Sequence, residues 1–173
     1  RHLIQFAFWT GLRISELCAL NWTDVDWVGQ RIFVQRALTQ ASNTPETPKT
    51  AAGRRYVKLL PAALKALKAQ KTHTFLEGEA IFHNPRTHKR WTGDVAIRQR
   101  MWKRLLSIAG VRYRYPYQMR HTYASMMLQA GESVMWVAHQ MGHTDWTFTA
   151  RTYSRWVSLD APEAGSLAAK KWG

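Results

Sequence analysis

Apolar positions in the first twenty residues recur with helical spacing. Residues 3–9 form an almost continuous apolar run, and a second helical pattern covers residues 13–20. Thr10 and Gly11 interrupt the two patterns, and a glycine at such a break favours a sharp corner. We therefore predict two helices joined at Gly11. Cys18 falls on the apolar side of the second helix, where a free cysteine behaves as a small core residue.

The pattern changes to alternation further along the chain. Residues 25–28 and 32–34 surround a glycine-containing turn, and this arrangement predicts a β-hairpin. Residues 55–60 predict a third strand. The intervening segment, residues 39–53, is rich in Thr, Ser, Asn, Pro and Gly, which favours a long mobile loop between strands. The sequence thus predicts a small three-stranded antiparallel sheet.

Helical spacing returns after Pro61 and continues through most of the remaining chain. The predicted helices cover residues 61–71, 97–108, 117–129, 133–141 and 144–153, with stops at Gly110, Gly131 and Gly142 and a cap at Thr144. Two helices, then the sheet, then five or more helices predict an α+β fold. We expect residues 1–173 to form one mostly helical domain that carries the small sheet.

The charge balance indicates a polyanionic partner. The chain has 25 Lys and Arg against 11 Asp and Glu, a formal net charge of +14, and solubility alone needs far less. Because 46% of the residues are hydrophobic, the cations belong to a folded surface and not to a disordered tail. No apolar stretch is long enough to span a bilayer, and no signal sequence opens the chain. We therefore expect a cytoplasmic protein that binds nucleic acid and not a membrane.

Two arginines lie near the predicted starts of helices. Arg13 follows the Gly11 corner, and Arg120 follows Tyr117 by three positions. Phosphoryl transfer requires fixed cations around the phosphate, and a guanidinium provides a permanent charge with bidentate geometry. Each arginine by itself is more typical of an exposed surface residue. Their context in the rest of the sequence therefore decides between the two interpretations.

That context is a series of motifs in a fixed order. The motifs are Thr10-Gly11-Leu12-Arg13-Ile14-Ser15-Glu16-Leu17, Lys49 in the strand hairpin, Arg120-His121-Thr122, Met141-Gly142-His143, and Tyr153. In order and spacing they resemble the tyrosine recombinases, also called the phage integrase family, over essentially the whole chain. The resemblance implies the catalytic domain of a site-specific DNA recombinase. Such an enzyme would integrate or excise a prophage or mobile element and would need no metal or other cofactor.

The resemblance also assigns a role to individual residues. Tyr153 matches the nucleophile that attacks the scissile phosphate, forms a 3′-phosphotyrosyl link and frees a 5′-hydroxyl. Arg13 and Arg120 match the pair that clamps the phosphate. Lys49 matches the hairpin lysine that protonates the departing 5′-oxygen. His143 matches the histidine that binds the phosphate and steadies the transition state.

Three further residues accompany this set, and one departs from the family pattern. Glu16 matches the acidic residue that supports the first arginine, although an exposed helix carboxylate is the simpler interpretation. Tyr117 stands where the family usually has a histidine that accepts a proton. A phenol with an ordinary pKa near 10 is a poor base at neutral pH, so we expect Tyr117 to contact the phosphate instead. His121 matches a supporting position, where we expect packing and hydrogen bonding, and the general base is left open. Tyr153 follows His143 by ten positions, whereas the commonest spacing between these two residues in the family is nine.

Other interpretations of the same residues also need weighing. His139 and His143 stand four apart like zinc ligands on a helix, but Gln140 stands where a zinc peptidase has Glu, and Gly142 predicts a helix end between them. A non-catalytic DNA-binding module would explain the charge equally well. The basic residues on the exposed side of one predicted helix are Arg98, Arg100, Lys103 and Arg104. A type IB topoisomerase would use similar chemistry to relax supercoils.

The resemblance implies partners as well. Tyrosine recombinases act on double-stranded DNA attachment sites and associate into a synaptic tetramer on them. We expect upstream core-binding and arm-binding domains to be absent here, because the chain opens at Arg1 directly into an apolar run. After Tyr153, Asp160 and Glu163 have capping-box spacing and precede Leu167 and Trp172. This tail predicts a short helix that packs on its own domain or on a neighbouring protomer.

Overall fold

The computed structural model describes residues 1–38, 44–47 and 51–157. Its chain begins with a helix pair, α1 (His2–Thr10) and α2 (Ile14–Ala19). Gly11 ends α1 with a φ of 63°, and its N–H donates to the Ala7 carbonyl at 3.1 Å. A Cβ at this position would collide with the ring of Tyr123, so both the backbone conformation and the packing require glycine. The predicted corner between two helices is confirmed.

Three short antiparallel strands form the sheet, in the order β1 (Val25–Asp26), β2 (Arg31–Val34) and β3 (Arg55–Lys58). Ile32 of β2 pairs with Val57 of β3, and both side chains are fully buried. β1 is shorter than the predicted residues 25–28. The turn begins early because the Asp26 carboxylate accepts a hydrogen bond from the Gly29 N–H at 2.8 Å.

Helices make up the rest of the described chain. They are α3 (Pro61–Thr74), α4 (Asp94–Ile97), a π-helical turn (Arg98–Trp102), α5 (Lys103–Ile108), α6 (Gln118–Gln129), α7 (Val134–Met141) and α8 (Trp146–Tyr153). Short 3₁₀ segments cover Trp22–Asp24, Ala51–Gly53 and Ser154–Trp156. None of the described helices is long and apolar enough to cross a membrane.

Four details of the helices differ from the sequence-based expectation. The helix predicted over residues 97–108 begins three residues earlier, at Asp94. The helix α3 continues to Thr74 instead of ending near residue 71, because the Thr74 hydroxyl donates to the Ile81 carbonyl at 2.7 Å and anchors the last turn. Asp145, not Thr144, caps α8, since its carboxylate accepts from the Thr147 N–H at 2.8 Å. Arg98 is half-buried and lies 5.6 Å from the ring centre of Tyr115, whereas the other three cations of that helix are exposed as predicted.

Two buried apolar clusters pack on either side of α1. The larger cluster joins α1, α2, the sheet, α3 and the α4–α5 helix, and includes Phe6 and Ile32. The smaller cluster joins α6, α7 and α8, and includes Met127 and Val137. Trp9 of α1 packs against both. The predicted α+β fold with a small three-stranded sheet is confirmed, and the motif residues lie where the two clusters meet.

Candidate active site

The corner at Gly11 places Arg13 at the first turn of α2, where it binds Glu16. Arg13 donates from its backbone N–H to Oε2 of Glu16 at 2.8 Å and from Nη1 to Oε1 at 2.9 Å. Its Nη2 donates to the Gly142 carbonyl at 3.2 Å. The Arg13 side chain keeps 37% of its surface exposed, whereas that of Glu16 keeps 3%. Arg13 is therefore held through its backbone and its guanidinium while part of the side chain remains exposed to solvent.

Arg120 enters the same region from the first turn of α6. Its side chain is almost fully buried, with Nη1 donating to the Gly11 carbonyl at 2.6 Å and Nη2 donating to the Met141 carbonyl at 2.7 Å. Burial, followed by repulsion from Arg13, lowers the pKa of Arg120 to about 10, so the group stays cationic at neutral pH. Among the residues that the structure describes, its Nε has no hydrogen-bond partner.

A third arginine, Arg55 of β3, completes the cluster. Its Nη1 and Nη2 donate to Oε1 and Oε2 of Glu16 at 3.0 and 3.2 Å, and its Nε donates to the Gln140 carbonyl at 2.8 Å. Three consecutive carbonyls at the end of α7, those of residues 140, 141 and 142, thus each accept from a different guanidinium. Arginines suit this place because the C-terminal end of a helix carries partial negative charge.

The electrostatics of the cluster leave an excess of positive charge. Burial alone would raise the pKa of Glu16, but the charge and hydrogen bonds of Arg55, and then those of Arg13, lower it below its ordinary value. Glu16 is therefore a buried carboxylate held ionised. Three guanidinium charges against this one carboxylate leave two positive charges, which suits a doubly ester-linked phosphate with one negative charge.

His143 follows the arginine-capped end of α7. Gly142, with a φ of 70°, turns the chain there, and the His143 N–H donates to the Ala138 carbonyl at 3.0 Å. The Nδ1 of His143 lies 2.6 Å from the Thr149 hydroxyl, and the ring meets Phe148 edge-on. Burial, followed by repulsion from Arg120, lowers the pKa of His143 to about 4. The imidazole is therefore neutral near pH 7.

Tyr153 ends α8 and is buried against α6. Its hydroxyl lies 2.6 Å from Nδ1 of His121, and its ring packs near Trp156. Burial, followed by the nearby Tyr117, raises the pKa of Tyr153 to about 12. Tyr117 is 47% exposed and meets the His121 ring edge-on, with 5.0 Å between ring centres. These three side chains form a second group next to the arginine cluster, since Arg120 and His121 are neighbours on α6.

Comparison with known proteins identifies the family. A model described as the phage integrase family matches residues 1–157. This chain belongs to the phage integrase family. It is 35% identical to the prophage integrase IntR of Escherichia coli K12, across 91% of this chain and 43% of that protein. It is 29% identical to a XerC-like tyrosine recombinase of Caldanaerobacter subterraneus, across 88% of this chain and 44% of that protein.

Solved structures of similar fold agree with the family match. The Tn1549 transposon integrase, solved in complex with a circular intermediate DNA, superposes with a TM-score of 0.77 at 20% identity. The match covers 99% of this chain and 58% of that one. At this identity the likeness concerns the fold. The chain spans less than half the length of the curated relatives named above.

Most of the site residues predicted for this integrase-family chain lie together. Arg13, Glu16, Arg120 and His143 converge on the end of α7, and Glu16 is a buried member of the cluster instead of an exposed helix carboxylate. Tyr153, Tyr117 and His121 form the adjoining group. His121 packs and hydrogen-bonds as expected, and its hydrogen-bond partner is the hydroxyl of Tyr153. Lys49 and the predicted tail helix lie outside the described residues.

The sequence interpretation missed Arg55 as a member of the site. A signal was available, since alternation along β3 places Arg55 on the same face as the buried Val57, and a cation on the buried face of a strand needs a partner. The zinc interpretation is not supported by the geometry, because His139 is exposed on α7 while His143 binds Thr149 beyond the helix end. Across the described ranges, no group of three His, Cys, Asp or Glu residues is arranged to hold a metal ion.

Proposed function

We propose that residues 1–173 form the catalytic domain of a site-specific tyrosine recombinase that cleaves and rejoins DNA through a 3′-phosphotyrosyl link. The observation that carries this proposal is the convergence of Arg13, Arg55 and Arg120 on the end of α7, beside His143. Phosphoryl transfer depends on such preorganised cations, because they stabilise the transition-state charge without having to reorganise. Membership of the phage integrase family supports the same activity.

The phosphate would lie against the open side of the arginine cluster. Arg13 is partly exposed and Arg120 has an unpaired Nε, so both retain donors for non-bridging oxygens. His143 is neutral, and in the tautomer with its hydrogen on Nε2, Nδ1 accepts from the Thr149 hydroxyl while Nε2 can donate to the phosphate. Glu16 and Arg55 support this arrangement from the interior, because both side chains are almost fully buried and bind each other.

The chemical step assigns one role to each remaining residue. The Tyr153 oxygen attacks phosphorus, the bond to the 5′-oxygen breaks, and Lys49 donates a proton to that oxygen. Tyr117, which is half exposed beside His121, contacts a phosphate oxygen. The reverse reaction with the 5′-hydroxyl of another strand gives recombination. We propose prophage or mobile-element DNA as the substrate, with double-stranded attachment sites as the partner and the net charge of +14 as the source of non-specific affinity.

Trapping on a nicked suicide duplex tests the reaction and the nucleophile together. The wild-type chain should form a covalent adduct whose mapped peptide contains Tyr153, and Tyr153→Phe should form none while binding DNA normally. Tyr56→Phe, at an exposed tyrosine of β3, is the matched control and should react like wild type. Adduct formation should persist in excess chelator, because the arginines and Lys49 supply the positive charge that a metal ion would otherwise provide. DNA binding without any adduct would instead indicate a binding module.

We also propose that the chain associates into a synaptic tetramer on DNA, with the segment after residue 158 contacting a neighbouring protomer. Leu167 and Trp172 are apolar and need a surface to pack on, and exchange between protomers requires only a hinge. Truncation after Ser158 should leave DNA binding by the monomer intact and reduce the multi-protomer complex. Native gels on paired sites measure both species, and equal complex formation by the full and truncated chains would refute the exchanged tail.

A further inference from the structure

The hydrogen bond between His121 and Tyr153 joins two helices at the proposed nucleophile. Nδ1 of His121, on α6, lies 2.6 Å from the hydroxyl of Tyr153, at the end of α8 and 32 positions away. We propose that His121 is the catalytic base that accepts the phenolic proton of Tyr153 during strand cleavage. The inference rests on the proposed function, and it assigns the proton acceptor that the sequence left open.

Tyr153 needs a proton acceptor because of where it lies. The residue is 3% exposed, and burial raises the pKa of its phenol to about 12. At neutral pH almost none of the phenol is ionised, so the oxygen must lose its proton as it bonds to phosphorus. The acceptor must therefore lie within hydrogen-bond distance of the hydroxyl before the reaction begins.

His121 meets both the geometric and the protonation requirement. Burial, followed by repulsion from Arg120, lowers its pKa, so the imidazole is neutral near pH 7. In the tautomer with hydrogen on Nε2, Nδ1 accepts the phenolic O–H. Within the described part of the chain, the titratable and charged groups that face His121 are Tyr153 from α8, Tyr117 from the turn before α6, and Arg120 on α6 itself.

The other candidate bases are occupied or unsuited. His143 uses Nδ1 to bind the Thr149 hydroxyl, away from Tyr153. Tyr117 holds the position where the family usually has histidine, but it carries a phenol and packs edge-on against His121, with 74° between the ring planes. Residues 117 and 121 are one helical turn apart and share a face at the start of α6. The imidazole of this chain therefore stands one turn further along than the usual base.

Every proton that moves in the proposed step has a donor and an acceptor. As the bond between the Tyr153 oxygen and phosphorus forms, the phenolic hydrogen moves to Nδ1 and His121 becomes imidazolium. The bond from phosphorus to the 5′-oxygen breaks with its electron pair, and the oxygen takes a proton from a separate acid, which we assign to Lys49. In rejoining, imidazolium returns its proton to the departing tyrosine oxygen.

Single-turnover adduct formation on the suicide duplex, measured from pH 5 to 9, tests the proposal. His121→Asn keeps a polar side chain but cannot accept the proton, so its rate at pH 7 should fall by about 10²- to 10⁴-fold with DNA affinity unchanged. The wild-type rate should rise with pH through a pKa below the ordinary histidine value of about 6.5 and then level off. The variant should lose this inflection and rise steadily to high pH. Imidazole added to His121→Ala should restore part of the rate.

The outcomes separate the two proposals. His139→Asn, at an exposed histidine of α7, is the control and should behave like wild type. If wild type forms no adduct, the recombinase function itself fails. If wild type forms the adduct but His121→Asn is equally fast, or slow with the inflection retained, only the role of His121 is overturned. A wild-type rate that keeps rising up to pH 9 without levelling off would overturn it without any variant, even if the variants fail to fold.

Discussion

Arg55 and Glu16 form a bidentate ion pair in the interior of the protein. The paired atoms lie 3.0 and 3.2 Å apart, and the two side chains are 2% and 3% exposed. Arg55 also binds the Gln140 carbonyl, while the Gln140 side chain accepts from the Lys58 N–H at 2.8 Å. The pair therefore links the start of α2 to the end of α7 and fixes the position of Arg13 relative to His143.

Replacing Arg55 should destabilise the protein strongly. Arg55→Met leaves the Glu16 carboxylate buried with only Arg13 beside it, and breaking a buried pair in this way costs about 3–5 kcal/mol. Urea denaturation measures the free energy of unfolding. Arg54→Met removes an exposed cation next to it and should change that free energy by less than about 0.5 kcal/mol. Similar losses in both variants would contradict the role given to the ion pair.

A methyl group at Gly142 should displace Arg55. The residue has a φ of 70°, and a Cβ there would lie 2.6 Å from Nη1 and 2.7 Å from Cζ of Arg55. Gly110→Ala is the control, because Gly110 has a similar φ of 64° but open space around the new Cβ. We expect the control to lose about 1 kcal/mol of stability from backbone strain and Gly142→Ala to lose at least twice as much. Equal losses would mean that Arg55 can move aside freely.

The stability of the protein should fall as the pH drops from about 6.5 towards 4. The pKa of His143 is lowered to about 4, chiefly by burial, so the folded chain keeps it neutral while the unfolded chain takes up a proton. The resulting stabilisation is fully present above the ordinary pKa of about 6.5 and is lost as the pH falls through the folded value. His121 and His2, whose pKa values burial also lowers, act in the same direction.

Urea midpoints across this pH range measure the dependence. His143→Gln should flatten part of the slope, whereas the exposed control His139→Gln should leave it as in wild type. A wild-type slope that His143→Gln does not change would show that His143 is not kept neutral in the folded state.

Tyr117→His should retain or raise the rate of strand cleavage. The change restores the residue usual in the family, one helical turn before His121, and so offers a second imidazole near Tyr153. Arg120→Ala should instead lower the rate by orders of magnitude, because it removes a buried cation from the transition state. Adduct formation on the suicide duplex measures both. If Tyr117→His lowered the cleavage rate as much as Arg120→Ala, the Tyr117 hydroxyl would have a specific role.

Binding to arbitrary duplex DNA should weaken steeply with salt. Each phosphate contact releases counterions and adds about −0.9 to the slope of log affinity against log salt concentration. The exposed Arg112 and Arg114 precede α6 and lie close in sequence to the proposed site. Changing both to Gln should make the slope shallower by about one to two units. Changing the exposed Lys65 and Lys68 of α3 should alter it less, and a salt-independent wild-type affinity would contradict the electrostatic model.

Local sequence chemistry determined the helices, their ends and the class of the protein. Gly11 and Gly142 mark helix ends because only glycine adopts a positive φ there at little cost. Apolar periodicity located α1, α2, α6 and α7, since burial of one face is a property of short segments. The family resemblance likewise depended on motifs a few residues long. Boundaries set by distant contacts were missed, such as the end of α3 at Thr74, which an interaction with the Ile81 carbonyl secures.

Only the tertiary structure decided which polar groups meet. Arg55 reaches Glu16 across 39 positions and the Gln140 carbonyl across 85, and no periodic pattern in the sequence reports such contacts. The sequence treated His121 as a supporting residue, and the packing of α8 on α6 brought its imidazole to the hydroxyl of Tyr153. The physical reason is that the pKa of an ionisable side chain, and hence its charge or its ability to accept a proton, depends on its surroundings. Burial and neighbouring cations are set by the folded chain as a whole, so they cannot be deduced from the residue type alone.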